Sequence, residues 1–224
     1  MRSISIIQPN YMPWRGYYKI IKMSDCVVIY DDVQYTKNDW RNRNIIKSST
    51  GPIWLTIPVR VKSLDQKINE TLTVNDNWRE KHYKSIKQNY SQTCYFNDYF
   101  DQFIEFYKNK DSNNLNSIIK KFNSIVFEIL EIKTEIVYSS DLGFSGNRNE
   151  RLIRILKSLE ADVYLSGPSA RSYIDENLFK LNGIDIKWIS YEMPIYDQMY
   201  EGFIPNLSIV DLIFNTGKNA HKYF

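Results

Sequence analysis

Along the opening of the chain the apolar positions change period twice. Ser3 to Gln8 reads as a short β run, Trp14 to Met23 repeats its apolar residues at helical spacing, and Cys26 to Tyr30 returns to a β-branched run. Such a β-α-β unit predicts two parallel strands joined by a right-handed crossover. The loop Gln8 to Arg15 then falls at the carboxyl edge of the sheet, where open α/β folds receive ligands.

The pattern shifts beyond residue 40. Asn44 to Ser48, Trp54 to Val61 and Glu70 to Val74 are strand-like and punctuated by Gly51-Pro52 and Pro58, which predicts a β excursion beside the main sheet. From Asn77 to Ile132 the spacing is helical. Trp78, His82, Ile86 and Tyr90 lie four apart, and Leu115, Ile118, Phe122, Ile125 and Ile129 mark a longer apolar face, so residues 77–132 are expected to form a helical insertion or cap.

Strand and helix signals then alternate again. Thr134 to Tyr138 reads as a strand, and Asn147 with Glu150 three residues on opens a helix whose buried face is Leu152, Ile155, Leu156 and Leu159. Ala161 to Ser166 predicts a strand, Ser169 to Leu181 a helix and Ile184 to Ser190 a strand. A last helix from Ile209 to Thr216 stops at Gly217, with Ser208 and Asp211 at capping-box spacing. The sum is a single α/β domain over 1–224. Its mainly parallel, Rossmann-like sheet is flanked by helices and joins residues 3–35 to residues 134–190.

A 43% hydrophobic composition supplies a sizeable core. The net charge of +3 lacks the clustered excess of a nucleic-acid binder, so nucleic acid is not the expected partner. Cys26 and Cys94 stand outside any metal-ligand spacing, which argues against a disulfide framework or zinc site and for a reducing, cytoplasmic setting. No apolar run has the length of a signal peptide or membrane span. Seventeen tyrosines and five tryptophans supply rings with polar tips, which suit cores and also clefts for sugars and nucleotides.

Several polar residues offer chemistry. Asp31 and Asp32 end the second predicted strand, where carboxylates suit a Mg²⁺ ion, a sugar hydroxyl pair or general-base work, or simply a solvated turn. Strand alternation points the two in opposite directions. Arg41 and Arg43 flank Asn42, and an extended backbone sends both guanidiniums to one side, a fit for a diphosphate or carboxylate. His82 shares a helical face with Trp78, Ile86 and Tyr90, the pattern of a packed histidine, with proton transfer as the alternative. In Ser166-Gly167-Pro168-Ser169-Ala170-Arg171, backbone N–H groups at a helix start can meet an anion and Arg171 adds charge; the same residues also make an ordinary turn.

Longer blocks carry a family resemblance. Ile7-Gln8-Pro9-Asn10-Tyr11-Met12-Pro13-Trp14-Arg15-Gly16-Tyr17-Tyr18, Tyr30-Asp31-Asp32-Val33-Gln34-Tyr35 and Trp40-Arg41-Asn42-Arg43-Asn44 resemble the WbqC-like pattern. So do Trp54-Leu55-Thr56-Ile57-Pro58-Val59, Tyr164-Leu165-Ser166-Gly167-Pro168 and the block Ser208 to Asn215, and together they span nearly the whole chain in order. A second resemblance, to nucleotidyltransferase-like domains, lies in Pro13-Trp14-Arg15-Gly16-Tyr17, placed where those domains carry P-H-x-G-H. Trp14 and Tyr17 stand in place of two histidines that stabilise phosphate charge, so nucleotidyl transfer itself is not expected.

The WbqC-like resemblance implies a cytoplasmic transferase of O-antigen or related lipopolysaccharide biosynthesis. It would modify a nucleotide-linked amino sugar by acyl or aminoacyl transfer, glycyl transfer included. The substrate-binding candidates, from these blocks and the polar residues above, are Gln8, Asn10, Tyr11, Trp14, Tyr17, Gln34, Tyr35, Arg41, Asn42, Arg43, Ser166, Ser169 and Arg171, with Asp31, Asp32 and His82 as catalytic candidates and no metal ligands. The partners are a nucleotide sugar and an acyl or aminoacyl donor, a charged tRNA being the one nucleic acid this reading admits. No cofactor is required unless the chain is instead an ATP-dependent, adenylate-forming amide ligase using Mg²⁺. A third alternative is a non-catalytic nucleotide-sugar or glycan binding protein.

Overall fold

The chain, described over residues 1–224 in a computed structural model, begins β1 (Ser3–Ile7), α1 (Arg15–Met23), β2 (Cys26–Ile29). The excursion comprises β3 (Arg43–Ser48), β4 (Gly51–Thr56), β5 (Val59–Arg60) and β6 (Leu72–Thr73), and helices α2 (Asn77–Tyr90), α3 (Phe96–Lys108) and α4 (Leu115–Ile129) follow. The remainder runs β7 (Glu135–Tyr138), α5 (Ser139–Leu142), α6 (Arg148–Ser158), β8 (Val163–Ser166), α7 (Glu176–Leu181), β9 (Asp185–Trp188) and α8 (Ile209–Thr216).

Strands β7-β2-β1-β8-β9 form one sheet in that order, and every neighbouring pair is parallel. Chain order therefore runs outward from β1 in both directions, first through β2 to β7 and then through β8 to β9. The crossovers on the two sides cover opposite faces, which opens a crevice between the carboxyl ends of β1 and β8. This is the Rossmann-like α/β sheet that the alternating signals predict.

Strand alternation divides the core between the two faces. Val27 and Ile29 point to the side where α1, α2, α3, α4 and α8 pack, while Cys26 and Val28 meet Leu152, Ile155 and Leu156 of α6 and Phe179 of α7. On the larger side Phe214 of α8 lies within 5.3–6.4 Å, centroid to centroid, of Phe96, Phe100 and Phe103 and 5.6 Å from Tyr90. Full burial of such rings is worth about 1.5–3 kcal/mol each, so the helices after the excursion share one core with the sheet.

Some expectations need correction. The strand predicted from Trp54 to Val61 breaks at Pro58, which has no N–H for a ladder: β4 pairs with β3, and β5 pairs with β6. The helix predicted from Ser169 to Leu181 is two pieces, a 3₁₀ turn at Pro168–Ser172 and α7, because the Asp175 side chain accepts from Leu178 N and starts a new helix. Asp211 does not complete a capping box. It is buried and accepts hydrogen bonds from Tyr90 Oη at 2.9 Å and Tyr196 Oη at 2.6 Å, while Ser208 caps α8 alone. No helix is long and apolar enough to cross a membrane.

Candidate functional site

A cleft of about 650 Å³ occupies the crevice between β1 and β8, a volume suited to a ligand of nucleotide size. Each parallel strand delivers its following loop to this edge. β1 leads to Gln8, Asn10, Trp14 and Tyr17; β2 leads to Tyr30 and Gln34; β8 leads to Ser166, Gly167, Ser169 and Tyr173; and Tyr191 follows β9. Arg148, in the first turn of α6, completes a wall rich in aromatic rings.

Two glycines let the rings close in. A Cβ on Gly16 would fall 2.4 Å from the Trp14 ring, so the indole lies directly over the first turn of α1. Trp14 in turn meets Tyr191 at a centroid distance of 5.1 Å, and a Cβ on Gly167 would sit 3.1 Å from the Tyr191 hydroxyl. Sequence spacing thus joins the first and last loops of the sheet edge through small residues.

Arg41 is the cationic group of the β1 side. Its guanidinium donates to Asn10 Oδ1 and, at 3.2 Å, to Asp39 Oδ2, while its Nε is buried without a protein partner. Burial pushes its pKa below the ordinary arginine value, against the attraction of Asp39. Tyr17, 5% exposed, also has a hydroxyl with no protein partner, and burial raises its pKa well above that of a free phenol.

The expected extended arrangement of Arg41 and Arg43 is not found. Arg41 lies in the turn that precedes β3, and Arg43 starts the strand, so the segment is not extended throughout. Arg43 stacks on Trp54 at 4.4 Å from the ring centroid and donates to Asn38 O, away from the cleft wall. Asn42 between them is buried, and its Nδ2 donates to Ile57 O at 2.8 Å.

Asp31 and Asp32 also depart from strand alternation, because β2 ends at Ile29 and the two acids lie beyond it. Both converge on Ser139, whose hydroxyl lies 3.2 Å from Asp31 Oδ1 and 2.5 Å from Asp32 Oδ1. Asp31, 2% exposed, further accepts from Ser140 N, Ser140 Oγ and Asn116 Nδ2. Protein donors thus engage both of its oxygens. Asp32 accepts from Arg151 Nη2 at 2.5 Å; burial pushes its pKa up, but the Arg151 and Ser139 hydrogen bonds outweigh that and hold it below the usual carboxylate value. No group of three or more His, Cys, Asp or Glu side chains is placed to hold a metal ion.

His82 lies in the core beneath the site. Its Nε2 faces Thr56 O at 3.2 Å and must donate, so Nδ1 accepts from Tyr11 Oη at 2.9 Å; Tyr11 Oη in turn lies 2.9 Å from Tyr107 Oη. Burial lowers the imidazole pKa to about 4, so the ring is neutral near pH 7. Tyr11 is fully buried in this chain of hydroxyls and is closed off from the cleft.

The structure therefore gathers Gln8, Asn10, Trp14, Tyr17, Gln34, Arg41, Ser166 and Ser169 on one wall. It leaves Tyr11, Asp31, Asp32, Tyr35, Asn42, Arg43, His82 and Arg171 outside that wall, Arg171 lying over Trp188 at 5.2 Å. Sequence reasoning missed Tyr30, Asp39, Arg148, Tyr173 and Tyr191. All of these but Asp39 follow a parallel strand, and loops after every parallel strand reach the same edge, Tyr173 following β8. Arg148 follows β7, Tyr30 follows β2 and Tyr191 follows β9.

The profile of the WbqC-like protein family matches residues 8–223 of the chain. The uncharacterized protein Rv1507c of Mycobacterium tuberculosis is 40% identical over 225 residues, an alignment that takes in 100% of this chain and 97% of that protein. No solved structure matches.

Proposed function

Because the chain belongs to the WbqC-like protein family, we propose that it is a transferase modifying a nucleotide-linked amino sugar for a surface polysaccharide, with the cleft as its nucleotide-sugar site. The observation that carries this reading is the cleft's position where the strand order reverses, the place at which open α/β sheets bind nucleotides. Trp14, Tyr30, Tyr173 and Tyr191 offer ring faces to a base and a sugar, and Arg41 and Arg148 offer charge to a diphosphate. Acyl or aminoacyl transfer to the sugar amine forms a C–N bond, breaks the donor's C–O or C–S bond and moves one proton from nitrogen to the departing atom. The reading puts this work in the cytoplasm, and the free thiols of Cys26 and Cys94 accord with a reducing compartment.

One observation favours a second reading, a binding protein without turnover. Asp31, Asp32 and His82 are engaged by protein partners, so none is free to take the amine's proton. Calorimetric titration with nucleoside-diphosphate amino sugars, with ATP as comparison, tests the site; mass spectrometry after addition of acyl and aminoacyl donors tests turnover. Binding with an amide product supports transfer. Binding without product favours the second reading, and no binding by any nucleotide sugar removes both.

A further inference from the structure

We infer that Arg41 and Tyr17 build a phosphate seat in the cleft, and that Asp39, paired with Arg41 Nη2 at its edge, serves as an internal anion until a ligand's phosphate displaces it. The inference deepens the nucleotide-sugar reading and rests on it for the molecule that carries the phosphate.

Two residues of the cleft lining carry unmet donors. Arg41 Nε and Tyr17 Oη are buried without a protein partner, and both side chains line the cleft. Buried polar atoms are nearly always hydrogen-bonded, so two orphans on residues that line one cleft mark a place where an acceptor can be received. The groups are near enough to act on each other: burial raises the Tyr17 pKa, and the Arg41 charge partly opposes that rise.

Asp39 satisfies the guanidinium only in part. One of its oxygens meets Arg41 Nη2 at 3.2 Å, and the other accepts from Trp40 N at 2.7 Å. A guanidinium can instead give two parallel bonds to an oxyanion, and a tetrahedral phosphate has further oxygens to accept from Tyr17 at another angle. Asp39 is also free to leave. It lies in a turn segment between residues 36 and 42 with its side chain 28% exposed, while the Arg41 side chain is 13% exposed and fixed by Asn10. The base of the turn stays anchored by the hydrogen bond from Tyr11 N to Trp40 O at 3.1 Å. Exchange of one anion for another keeps the buried guanidinium compensated throughout.

The test titrates inorganic pyrophosphate into the whole protein by calorimetry at fixed ionic strength, with circular dichroism to establish that each variant is folded. Asp39→Asn removes the competing charge and should tighten pyrophosphate binding about tenfold or more. Arg41→Lys keeps the net charge but loses the fork and should weaken it about tenfold, and Tyr17→Phe should weaken it about threefold. Equal or weaker binding by Asp39→Asn overturns the placeholder role. Unchanged binding in both Arg41→Lys and Tyr17→Phe overturns the seat. If Arg41→Lys does not fold, the other two variants still decide. Pyrophosphate binding that follows this pattern while no nucleotide sugar binds keeps the seat and sinks the nucleotide-sugar reading. Nucleotide-sugar binding indifferent to all three substitutions sinks the seat alone.

Discussion

Arg151 and Asp32 form an ion pair at 2.5 Å with side chains only 12% and 14% exposed, tying the loop after β2 to α6. The same guanidinium lies 4.7 Å from the Tyr30 ring centroid, so the pair also fixes an aromatic wall of the cleft. Asp32→Asn keeps the shape and loses the charge, and should cost about 2 kcal/mol in chemical denaturation at neutral pH. The sign with pH follows from the lowered pKa of Asp32. Its contribution is present above the ordinary carboxylate range and is lost as pH falls through the depressed native value. The stability gap between wild type and Asp32→Asn is therefore expected to hold from pH 8 to about pH 5 and to close at lower pH. A gap that stays constant down to pH 2 would show that the charge contributes nothing.

His82 makes the core acid-sensitive in a different window. Its pKa is about 4 in the folded chain against an ordinary 6.5, so the unfolded chain takes up the proton first as pH falls. Stability tied to the neutral ring is full above pH 6.5 and declines towards pH 4, by roughly 3 kcal/mol in total. Asp211 works in the opposite direction. Burial raises its pKa to about 6, so its share is full below the ordinary carboxylate value and is lost as pH rises through 6. The net profile mixes the two. Subtracting the profile of His82→Gln from that of wild type should isolate a slope that falls towards acid, and the same subtraction with Asp211→Asn should give the reverse slope. Parallel profiles for wild type and His82→Gln across pH 4–6.5 would place the imidazole in water rather than in the core.

Periodicity made the sheet legible. The β-α-β opening and the later alternation lead to one parallel sheet with Gln8 to Tyr17 at its carboxyl edge, and the helix Ile209–Thr216 has the predicted bounds. What periodicity carries is the direction of backbone elements, and it stops where they stop. Asp31 and Asp32 lie past the end of β2 and Arg41 lies before the start of β3, so alternation said nothing true about where those side chains point. The burial of Asp211 was hidden for a related reason. Its capping-box spacing describes a local bond, whereas its actual partners Tyr90 and Tyr196 come from distant parts of the chain. Arg148 and Tyr191 follow from the same rule as the other loops, because β7 and β9 are parallel members of the sheet and end at the same edge as β1, β2 and β8.

Gly16 offers a test of how the cleft wall is held. An alanine in a helix is ordinarily about 1 kcal/mol better than a glycine, because it loses less backbone entropy on folding. Gly16 has a backbone that any residue can adopt, so that gain is available in principle. The Trp14 ring, however, stands 2.4 Å from where the new Cβ would be, a distance that real Cβ atoms do not tolerate. Forcing an extra carbon into a packed contact costs about 1–3 kcal/mol, so the overpacking term should win and Gly16→Ala should destabilise the protein. The indole would have to swing away, which would also break its contact with Tyr191 and widen the cleft. With the indole removed the conflict disappears, and alanine at 16 should then stabilise the Trp14→Ala background by up to about 1 kcal/mol. The measurement is a double-mutant cycle by urea denaturation at pH 7. A change of sign between the two backgrounds is the expected result, and a gain from Gly16→Ala in the presence of Trp14 would mean that the ring does not lie over the first turn of α1.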